Sequence, residues 1–249
     1  RRKNMRAYQS TFQRYESKYM LTRRQYQGVL DALRAHMRQD EFGKSGICNL
    51  YFDTPDYRLI RASLEGPAYK EKLRVRSYGQ AAGKDTVFVE LKKKYKGVVY
   101  KRRVDMREED AMAYLAGNAQ PGSPSQITRE IDYFKRFYAP LSPKVYLAYA
   151  RTAYYDAREP GLRVTFDEDI LYRASGLSLR LPPSGTPLLE PGACLMEIKT
   201  GGAIPLWLAR ALDALCVRKT SFSKYGGAYK QMLLNGAMEL CVKGGVRCA

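Results

Sequence analysis

The sequence is poor in the residues that build most zinc and nucleophilic sites. His36 is the only histidine among 249 residues, which excludes a histidine-rich zinc site and disfavours Ser/His/Asp or Cys/His catalysis. The five cysteines form no CxxC pair, and their scattered positions predict no disulfide framework; they are Cys48, Cys194, Cys216, Cys241 and Cys248. Any metal must therefore be held mainly by carboxylates, which favours Mg²⁺ or Mn²⁺.

Long apolar runs are also missing, and acidic residues are few. No stretch approaches the roughly 20 apolar residues that a membrane helix needs. The basic residues at 1–6 are not followed by an apolar stretch, so we expect no signal peptide and a cytoplasmic location. Lysine and arginine number 43 against 25 acidic residues, a formal charge of +18. Such a chain should bind polyanions: nucleic acid, an anionic membrane surface or a phosphate-rich small substrate.

What the sequence does contain is a repeated alternation of charged and apolar residues with the period of a β-strand. In segment 69–77 one face carries Lys70, Lys72, Arg74 and Arg76, opposite Tyr69, Leu73 and Val75. The same pattern recurs at 14–19, 87–94, 98–106, 162–169 and 194–199. We therefore predict strands that are apolar on one face and charged on the other.

Apolar stripes at helical spacing predict six helices among these strands. They lie at 22–37, 57–64, 108–115, 124–138, 205–216 and 223–234, and segments rich in proline and glycine predict loops at 117–124 and 182–192. A charged strand face is commonly solvated, and that alternative stays open for each strand alone. Six such strands accompanied by apolar helices favour an α+β fold, a closed antiparallel barrel with helices packed on the outside. Its charged lumen would be costly unless an anion filled it.

Seven short segments carry a resemblance to a known family. They are YESKY at 15–19, KEKLRVRSY at 70–78, VELKKK at 89–94, YARTAY at 149–154, RVTFD at 163–167, MEIK at 196–199 and SFSKY at 221–225. In this order they resemble the VTC domain, the polyphosphate polymerase module of the vacuolar transporter chaperone family, within the triphosphate tunnel metalloenzyme superfamily. The resemblance spans 8–234, leaves 1–7 and 235–249 as terminal extensions, implies an eight-stranded tunnel and looks like the compact single-domain bacterial form.

The resemblance implies an enzyme that transfers the γ-phosphate of ATP or another nucleoside triphosphate to a growing polyphosphate chain, primed by pyrophosphate or orthophosphate. It implies Mn²⁺ or Mg²⁺ as cofactor and allows for a membrane-bound partner protein outside this chain. By position, the implied catalytic cations are Lys18, Arg74, Arg76, Lys92, Arg151 and Lys199. The implied substrate-binding residues are Lys101, Arg163, Ser223 and Lys224, and the charged strand faces add Lys72, Lys94 and Arg103. Glu197 is the implied metal ligand, with Glu16 and Glu90 as secondary candidates from the same faces.

Several of these residues also have a plainer interpretation. Lys92 and Lys199 each follow a glutamate by two residues, so each is alternatively a structural ion-pair partner. Ser223 and Lys224 precede a predicted helix, where they suit either an anion site or ordinary N-capping. Arg151 shares the face of apolar residues earlier in its strand, which predicts a bulge or an irregular register.

Three other functions remain open at this point. One is a tunnel triphosphatase that hydrolyses tripolyphosphate or a nucleoside triphosphate; the others are a non-catalytic polyphosphate-binding protein and a nucleic-acid-binding protein. Tunnel triphosphatases open with a Glu-x-Glu-x-Lys strand, of which this chain retains only Glu16 and Lys18, and this favours the polymerase branch. The positive charge is interleaved with apolar residues along each strand, so we expect no specific nucleic-acid partner.

Overall fold

The computed structural model describes residues 15–96, 98–159 and 161–236. The predicted extension 1–7 and nearly all of the predicted extension 235–249 lie outside these residues, as does Arg14 of the first predicted strand. The boundaries of the predicted 8–234 domain therefore stay a prediction.

Six helices are present where the apolar stripes predicted them, with ends that differ from the prediction by at most three residues. They are α1 (Arg23–Arg34), α2 (Arg58–Leu64), α3 (Glu108–Ala116), α4 (Gln126–Phe137), α5 (Leu206–Ala214) and α6 (Lys224–Leu234). Helix α1 begins after Thr22, whose hydroxyl accepts the Gln25 backbone N–H while the Gln25 side chain returns to the Thr22 backbone. This capping box satisfies amides that the first helical turn leaves free.

The strands form one antiparallel sheet in the part of the chain that the structure describes. They are β1 (Tyr15–Leu21), β2 (Arg38–Asp53), β3 (Tyr69–Tyr78), β4 (Thr86–Tyr95), β5 (Val98–Arg107), β6 (Ser142–Tyr155), β7 (Arg163–Arg173), β8 (Thr186–Pro187), β9 (Cys194–Thr200) and β10 (Lys219–Thr220). Their order is β10-β1-β9-β7-β6-β2-β3-β4-β5, and β8 pairs with β7. Residues of β1 and β5, near opposite ends of this order, line one cavity, so the sheet is strongly curled. Closure into an eight-stranded barrel stays a prediction.

Four helices cover the convex face of the sheet, as predicted. Helices α3 and α4 pack on β3 and β4 through Tyr114, Ile131 and Phe134, which meet buried residues such as Leu73 and Val89. Helices α1 and α5 form a second cluster with the apolar faces of β1, β7 and β9. The apolar half of the alternating pattern is thereby buried, and the charged half is left to the concave face.

Helix α6 corrects the prediction that the helices pack outside, whereas α2 contacts both sides, with Leu59 in the convex cluster and Ile60 in the concave one. Helix α6 packs with α2 against the concave faces of β2, β6 and β7, where Tyr225 and Met232 lie among Ile47, Val145 and Leu147. The buried carboxylate of Asp53 accepts the Tyr225 hydroxyl at 2.8 Å and the backbone N–H groups of Leu59 and Ile60 at the start of α2. One end of the concave face is therefore filled by apolar packing, which places the start of α6 beside the charged rows.

Strand β2 was not predicted, because its second half, residues 47–53, is buried on both faces. Leu50 packs with the convex cluster while Tyr51 faces the concave side, so apolar residues follow one another without alternation. The irregularity predicted near Arg151 is confirmed, since the pairing of β6 with β7 shifts register between Ala148 and Ala150. Arg151 and Leu147 also share the concave face of β6. Leu147 lies where that face packs against α6, and Arg151 lies further along, where the face lines the cavity.

Candidate functional site

A cavity of about 580 Å³ lies on the concave face. It is lined by Glu16, Lys18, Tyr51, Lys72, Arg74, Arg76, Glu90, Lys92, Val99, Lys101, Tyr149, Arg151, Glu197, Lys199, Ser223, Lys224 and Tyr225. Thirteen of the sixteen residues that the sequence analysis singled out are in this lining. The charged strand faces therefore converge on one site.

Strand β3 shows how the local sequence positions these side chains. Leu73 and Val75 are fully buried on the convex face, so the alternating residues Arg74 and Arg76 must point to the concave side. Pairing in register places Glu90 of β4 directly opposite Arg74, and Arg103 of β5 opposite Glu90. The cross-strand rows thereby bring cations and a carboxylate together.

The first cluster of the site, here called the Glu90 cluster, consists of Glu90, Arg74, Arg76 and Lys101. Arg74 donates from Nε and Nη2 to Glu90 Oε2 at 2.8 and 2.7 Å, and Lys101 Nζ lies 2.6 Å from Oε1. Arg76 Nε lies 3.9 Å from the same carboxylate and donates to Asn49 Oδ1 at 2.9 Å. Burial would raise the pKa of Glu90, but the Arg74, Arg76 and Lys101 charges outweigh it and lower the pKa to about 2. Glu90 is thus an ionised counter-ion that holds Arg74 by hydrogen bonds and lies beside Arg76.

The second cluster, here called the Glu197 cluster, lies on the wall formed by β1, β6, β7, β9 and α6. It contains Glu197 and Asp167 with the cations Arg151, Lys224, Lys18 and Lys199. Asp167 is fully buried and accepts two hydrogen bonds from Arg151 at 2.5 and 2.6 Å, with Lys224 Nζ at 2.5 Å. Glu197 meets its four cations at longer distances, 3.4 Å to Arg151 and Lys224 and 3.7 Å to Lys18 and Lys199.

The pKa values of this cluster follow from burial opposed by charge. Burial alone would raise the pKa of Glu197, but Lys224, Lys18, Arg151 and Lys199 lower it well below the usual value. Burial would lower the pKa of Lys224, and Asp167 and Glu197 raise it instead. Both groups are therefore charged at neutral pH, so the cavity holds a carboxylate surrounded by cations.

A third group, here called the lysine ladder, consists of Lys70, Lys72, Lys92 and Lys94 of strands β3 and β4. None of the four forms an ion pair with a carboxylate of a described residue. Lys72 Nζ instead donates to Ser223 Oγ at 3.1 Å. Burial and the charges of Lys92, Lys18 and Lys70 lower the pKa of Lys72 to about 8, although Tyr51 acts in the opposite direction. These lysines repel one another, and an anion would relieve that repulsion.

Three residues predicted to bind substrate lie outside the cavity lining. Lys94 pairs in register with Lys70, one row beyond the lining. Arg103 has its Nε 3.8 Å from Glu90 and its guanidinium carbon 3.3 Å from the centre of the Phe88 ring. Arg163 begins β7, where it pairs in register with Lys199; it is half exposed and its Nη2 lies 3.1 Å from Asp40 Oδ2. Arg163 therefore forms an ion pair beside the site, and its phosphate contact stays a prediction.

Sequence reasoning missed three lining tyrosines and the carboxylate behind them. Tyr51 accepts a hydrogen bond from Arg74 Nη1 at 2.9 Å, and Tyr149 accepts one from Arg76 Nη2 at 3.1 Å. The Tyr225 ring stacks on Tyr51 with ring centres 4.7 Å apart. Tyrosine is frequent throughout this chain, so no spacing marked these three. Asp167 was placed on a charged face by its alternation, but only the fold shows its contacts with Arg151 and Lys224.

Ser223 has both of the roles that its sequence allowed. Its hydroxyl oxygen accepts a hydrogen bond from the Gly226 backbone N–H at 3.2 Å and so caps α6. The same oxygen accepts a hydrogen bond from Lys72 Nζ. The first residue of α6, Lys224, then lies against both carboxylates of the Glu197 cluster. A helix N-terminus with a lysine and a hydroxyl faces the cavity, which is an arrangement suited to anions.

The carboxylates fit a divalent ion that arrives with phosphate better than a prebuilt metal site. Within the residues that the structure describes, no three His, Cys, Asp or Glu side chains converge to hold an ion. Mg²⁺ in phosphate-transfer sites is commonly bound by one or two carboxylates together with substrate phosphates and water. Glu197 suits this because its contacts with cations are loose. Glu90 is poorly suited to metal binding because Arg74 and Lys101 already contact its carboxylate at 2.6–2.8 Å. Glu16 lines the cavity, and its carboxylate lies 3.7 Å from Lys18 Nζ.

Two solved structures share the fold of this chain. A proposed adenylate cyclase from Bacillus halodurans matches with a TM-score of 0.51 at 14% identity, over 85% of this chain and 95% of its own. A proposed adenylyl cyclase from Hippeastrum, described as having a dominant triphosphatase activity, matches with a TM-score of 0.52 at 17% identity, over 92% and 99%. At these identities the likeness shows the fold alone, that of the triphosphate tunnel proteins.

The family itself is shown by sequence. Residues 13–233 match the VTC domain, and the chain therefore belongs to the VTC domain family. The predicted resemblance is confirmed, and with it membership among the triphosphate tunnel enzymes that transfer or hydrolyse phosphoryl groups. No curated protein sequence matches the chain. Among the helices of the described residues, none combines the length and apolarity that crossing a membrane requires.

Proposed function

We propose that this protein is a polyphosphate polymerase that transfers the γ-phosphate of ATP or another nucleoside triphosphate to an inorganic polyphosphate chain. The observation that carries the proposal is the lysine ladder beside the Glu90 cluster. A cavity that only needed to be stable would pair its cations with carboxylates, whereas Lys72 and Lys92 face the cavity with no such partner among the described residues. Membership of the VTC domain family supports the same conclusion.

Phosphoryl transfer needs the protein to neutralise charge and hold donor and acceptor in line, more than it needs covalent chemistry. Arg74 and Arg76 suit this because Glu90, Asn49 and the lining tyrosines hold their guanidinium groups in fixed orientations. Arginines held in this way can offer paired donors to phosphate oxygens without reorganising during the reaction.

The Glu197 cluster supplies the other wall of the proposed site. Asp167 orients Arg151 and Lys224, and Lys18 and Lys199 complete a set of cations around Glu197. Glu197 would hold Mn²⁺ or Mg²⁺ together with phosphate oxygens, and the ion would supply further neutralisation of the transferred group. The protein's own cations then bind the remaining phosphate oxygens, so that a nucleoside triphosphate and a phosphate acceptor can share the cavity.

A tunnel triphosphatase is the second candidate. It is favoured by the Hippeastrum protein of the same fold, which is described as having a dominant triphosphatase activity. The cations of the cavity serve both reactions equally well. What favours polymerisation is the extent of the cationic surface, because the charged row of β3 runs past the cavity lining to Lys70.

Nucleic acid binding is less well supported by the geometry. The predicted phosphate-binding cations of β3, β4, β9 and α6 line an interior cavity, whereas duplex nucleic acid needs an accessible cationic surface. Duplex DNA should therefore bind weakly, with affinity that falls steeply as salt increases. A cytoplasmic location and a membrane-bound partner protein stay predictions.

The proposal is tested by incubating the purified protein with ATP and Mn²⁺ and separating the products on a polyphosphate gel. A ladder of chains longer than triphosphate supports polymerisation. Orthophosphate as the sole phosphate product would favour the triphosphatase, and no metal-dependent product at all would overturn both.

A further inference from the structure

The lysine ladder has a definite place and direction on the sheet. Lys72 pairs in register with Lys92, and Lys70 pairs with Lys94 one row closer to the ends of β3 and β4 at Tyr69 and Tyr95. Val99, which pairs with Lys94, still lines the cavity. The Lys70–Lys94 pair thus continues the cavity wall toward the strand ends at Tyr69 and Tyr95.

The ladder combines like charges in a way that a folded protein normally avoids. Like charges directly opposite each other on paired strands are destabilising. Burial and the charges of Lys94, Lys18 and Lys92 lower the pKa of Lys70, so the lysines lie close enough to affect one another. The outer face of the same strand differs, because Lys93 has Glu71 at 3.9 Å and Glu130 at 3.5 Å. The outer-face lysine is therefore paired with carboxylates, whereas the described residues pair none with the lysines of the ladder.

The cationic face of β3 is also longer than a triphosphate requires. From Arg76 to Lys70 there are three steps of two residues, each about 6.7 Å, or roughly 20 Å in all. Glu90 neutralises charge at the Arg76 and Arg74 end, whereas the Lys72 and Lys70 end has no carboxylate partner among the described residues. A ligand that matches this face is an extended polyanion whose charge continues past the arginines.

We propose that the lysine ladder is the binding site of the polyphosphate chain itself, and that the chain leaves the cavity across Lys70 and Lys94. This inference rests on the proposed function, since it divides one cavity between two phosphate ligands. The reacting phosphates lie between the Glu90 and Glu197 clusters, and the acceptor chain lies over the ladder toward Tyr95. Lys70 and Lys94 thereby set the preference for long chains over short ones.

The test is calorimetric titration of tripolyphosphate and of a long-chain polyphosphate, without nucleotide, into wild-type protein and the double variant Lys70→Ala/Lys94→Ala. Loss of two charged contacts should weaken long-chain binding at least about tenfold more than tripolyphosphate binding. The charge-preserving variant Lys70→Arg/Lys94→Arg should retain long-chain binding. Lys93→Ala is the matched control on the outer face of β4 and should change both affinities by less than about twofold.

An equal loss for both ligands, or no loss for either, would overturn the inference. Tripolyphosphate binding by the double variant also shows that its cavity has folded. Because these titrations contain no nucleotide, they are independent of turnover. A wild-type protein that makes no polyphosphate from ATP would overturn the polymerase proposal while leaving the chain-length result to stand.

Discussion

The two carboxylate clusters face the same cavity but hold their carboxylates differently. The Glu90 carboxylate contacts Arg74 and Lys101 at 2.6–2.8 Å, whereas the Glu197 carboxylate lies 3.4–3.7 Å from its four cations. In the Glu197 cluster the tight contacts go to Asp167 instead. Each wall therefore has one carboxylate that fixes arginine, Glu90 or Asp167, and Glu197 remains the carboxylate that can exchange its contacts for a metal ion.

The largest expected effect is that of Glu197→Gln on turnover. The amide keeps the shape of the side chain but loses the charge that would hold a divalent ion, so turnover should fall about 10²–10³-fold. Tripolyphosphate binding should persist or tighten, because the variant removes a negative charge from a cationic cavity. Metal-dependent product formation and calorimetry measure the two effects separately.

The control for this variant is Glu130→Gln, on the outer face of the sheet, where Glu130 contacts Arg102 and Lys93. It should leave turnover within about twofold, as expected of a partly exposed surface pair. Full activity of Glu197→Gln would contradict the proposal that Glu197 binds the metal ion, and the proposed difference between the Glu90 and Glu197 clusters would be lost.

The next effect is on stability, and it concerns Asp167. Asp167→Asn leaves Arg151 and Lys224 without their tight buried partner, and breaking such a pair costs about 3 kcal/mol of unfolding free energy. Urea denaturation of the variant measures this loss. Asp213→Asn is the control, because Asp213 and Arg218 form an exposed pair whose removal should change stability by less than about 1 kcal/mol. If the two variants lost equal stability, Asp167 would not be the fixed carboxylate of its wall.

A smaller effect is expected for Arg74→Ala on binding. The variant deletes a proposed phosphate donor and also releases Glu90, so tripolyphosphate affinity should fall about tenfold or more. Turnover should fall with it, in contrast with Glu197→Gln, where binding and turnover separate. Calorimetry of both variants under one buffer makes the contrast visible, and unchanged affinity in Arg74→Ala would show that the Glu90 cluster does not touch phosphate.

The smallest expected effect is a pH dependence of tripolyphosphate affinity, which arises from Lys72 and Tyr51 in the cavity lining. Lys72 has a pKa lowered to about 8, so in the free protein it loses its positive charge as pH rises through 8. Burial would raise the pKa of Tyr51, but Arg74, Lys72 and Arg76 lower it to about 8, and its ionisation adds negative charge over the same range. Tripolyphosphate affinity should therefore fall several-fold between about pH 7 and pH 9.

The variant Lys72→Arg/Tyr51→Phe stays charged at Lys72 and cannot ionise at Tyr51, so its affinity should change less over this interval. Titrations of wild-type protein and the variant at both pH values make the comparison. A pH dependence of the same size in both proteins would assign it to other groups.

The sequence predicted the charged wall of the cavity better than its apolar end. The inner parts of β3 and β4 alternate because helices cover one face and the cavity lies on the other, so Arg74, Arg76 and Lys92 could be found by their spacing. Residues 47–53 of β2 are buried on both faces, so alternation is lost there and Tyr51 could not be recognised. The position of α6 inside the curve depends on contacts between distant segments, which no local pattern records.

The different roles of the carboxylates likewise could be distinguished only from the folded structure. Glu16, Glu90 and Glu197 each lie on a charged strand face and were indistinguishable by spacing alone. Their difference arises from which cations the curled sheet brings within hydrogen-bond distance, and Asp167 acquires its partner Lys224 from α6 in this way. Family resemblance singled out Glu197, and the geometry supplies a physical reason for that choice.

Titration of tripolyphosphate into the wild-type protein at physiological salt measures whether this cavity binds a condensed phosphate chain. We expect saturable binding that is far tighter than the response to orthophosphate or chloride and that persists in the presence of duplex DNA. Binding no stronger than the chloride background, or displacement of tripolyphosphate by DNA, would contradict it.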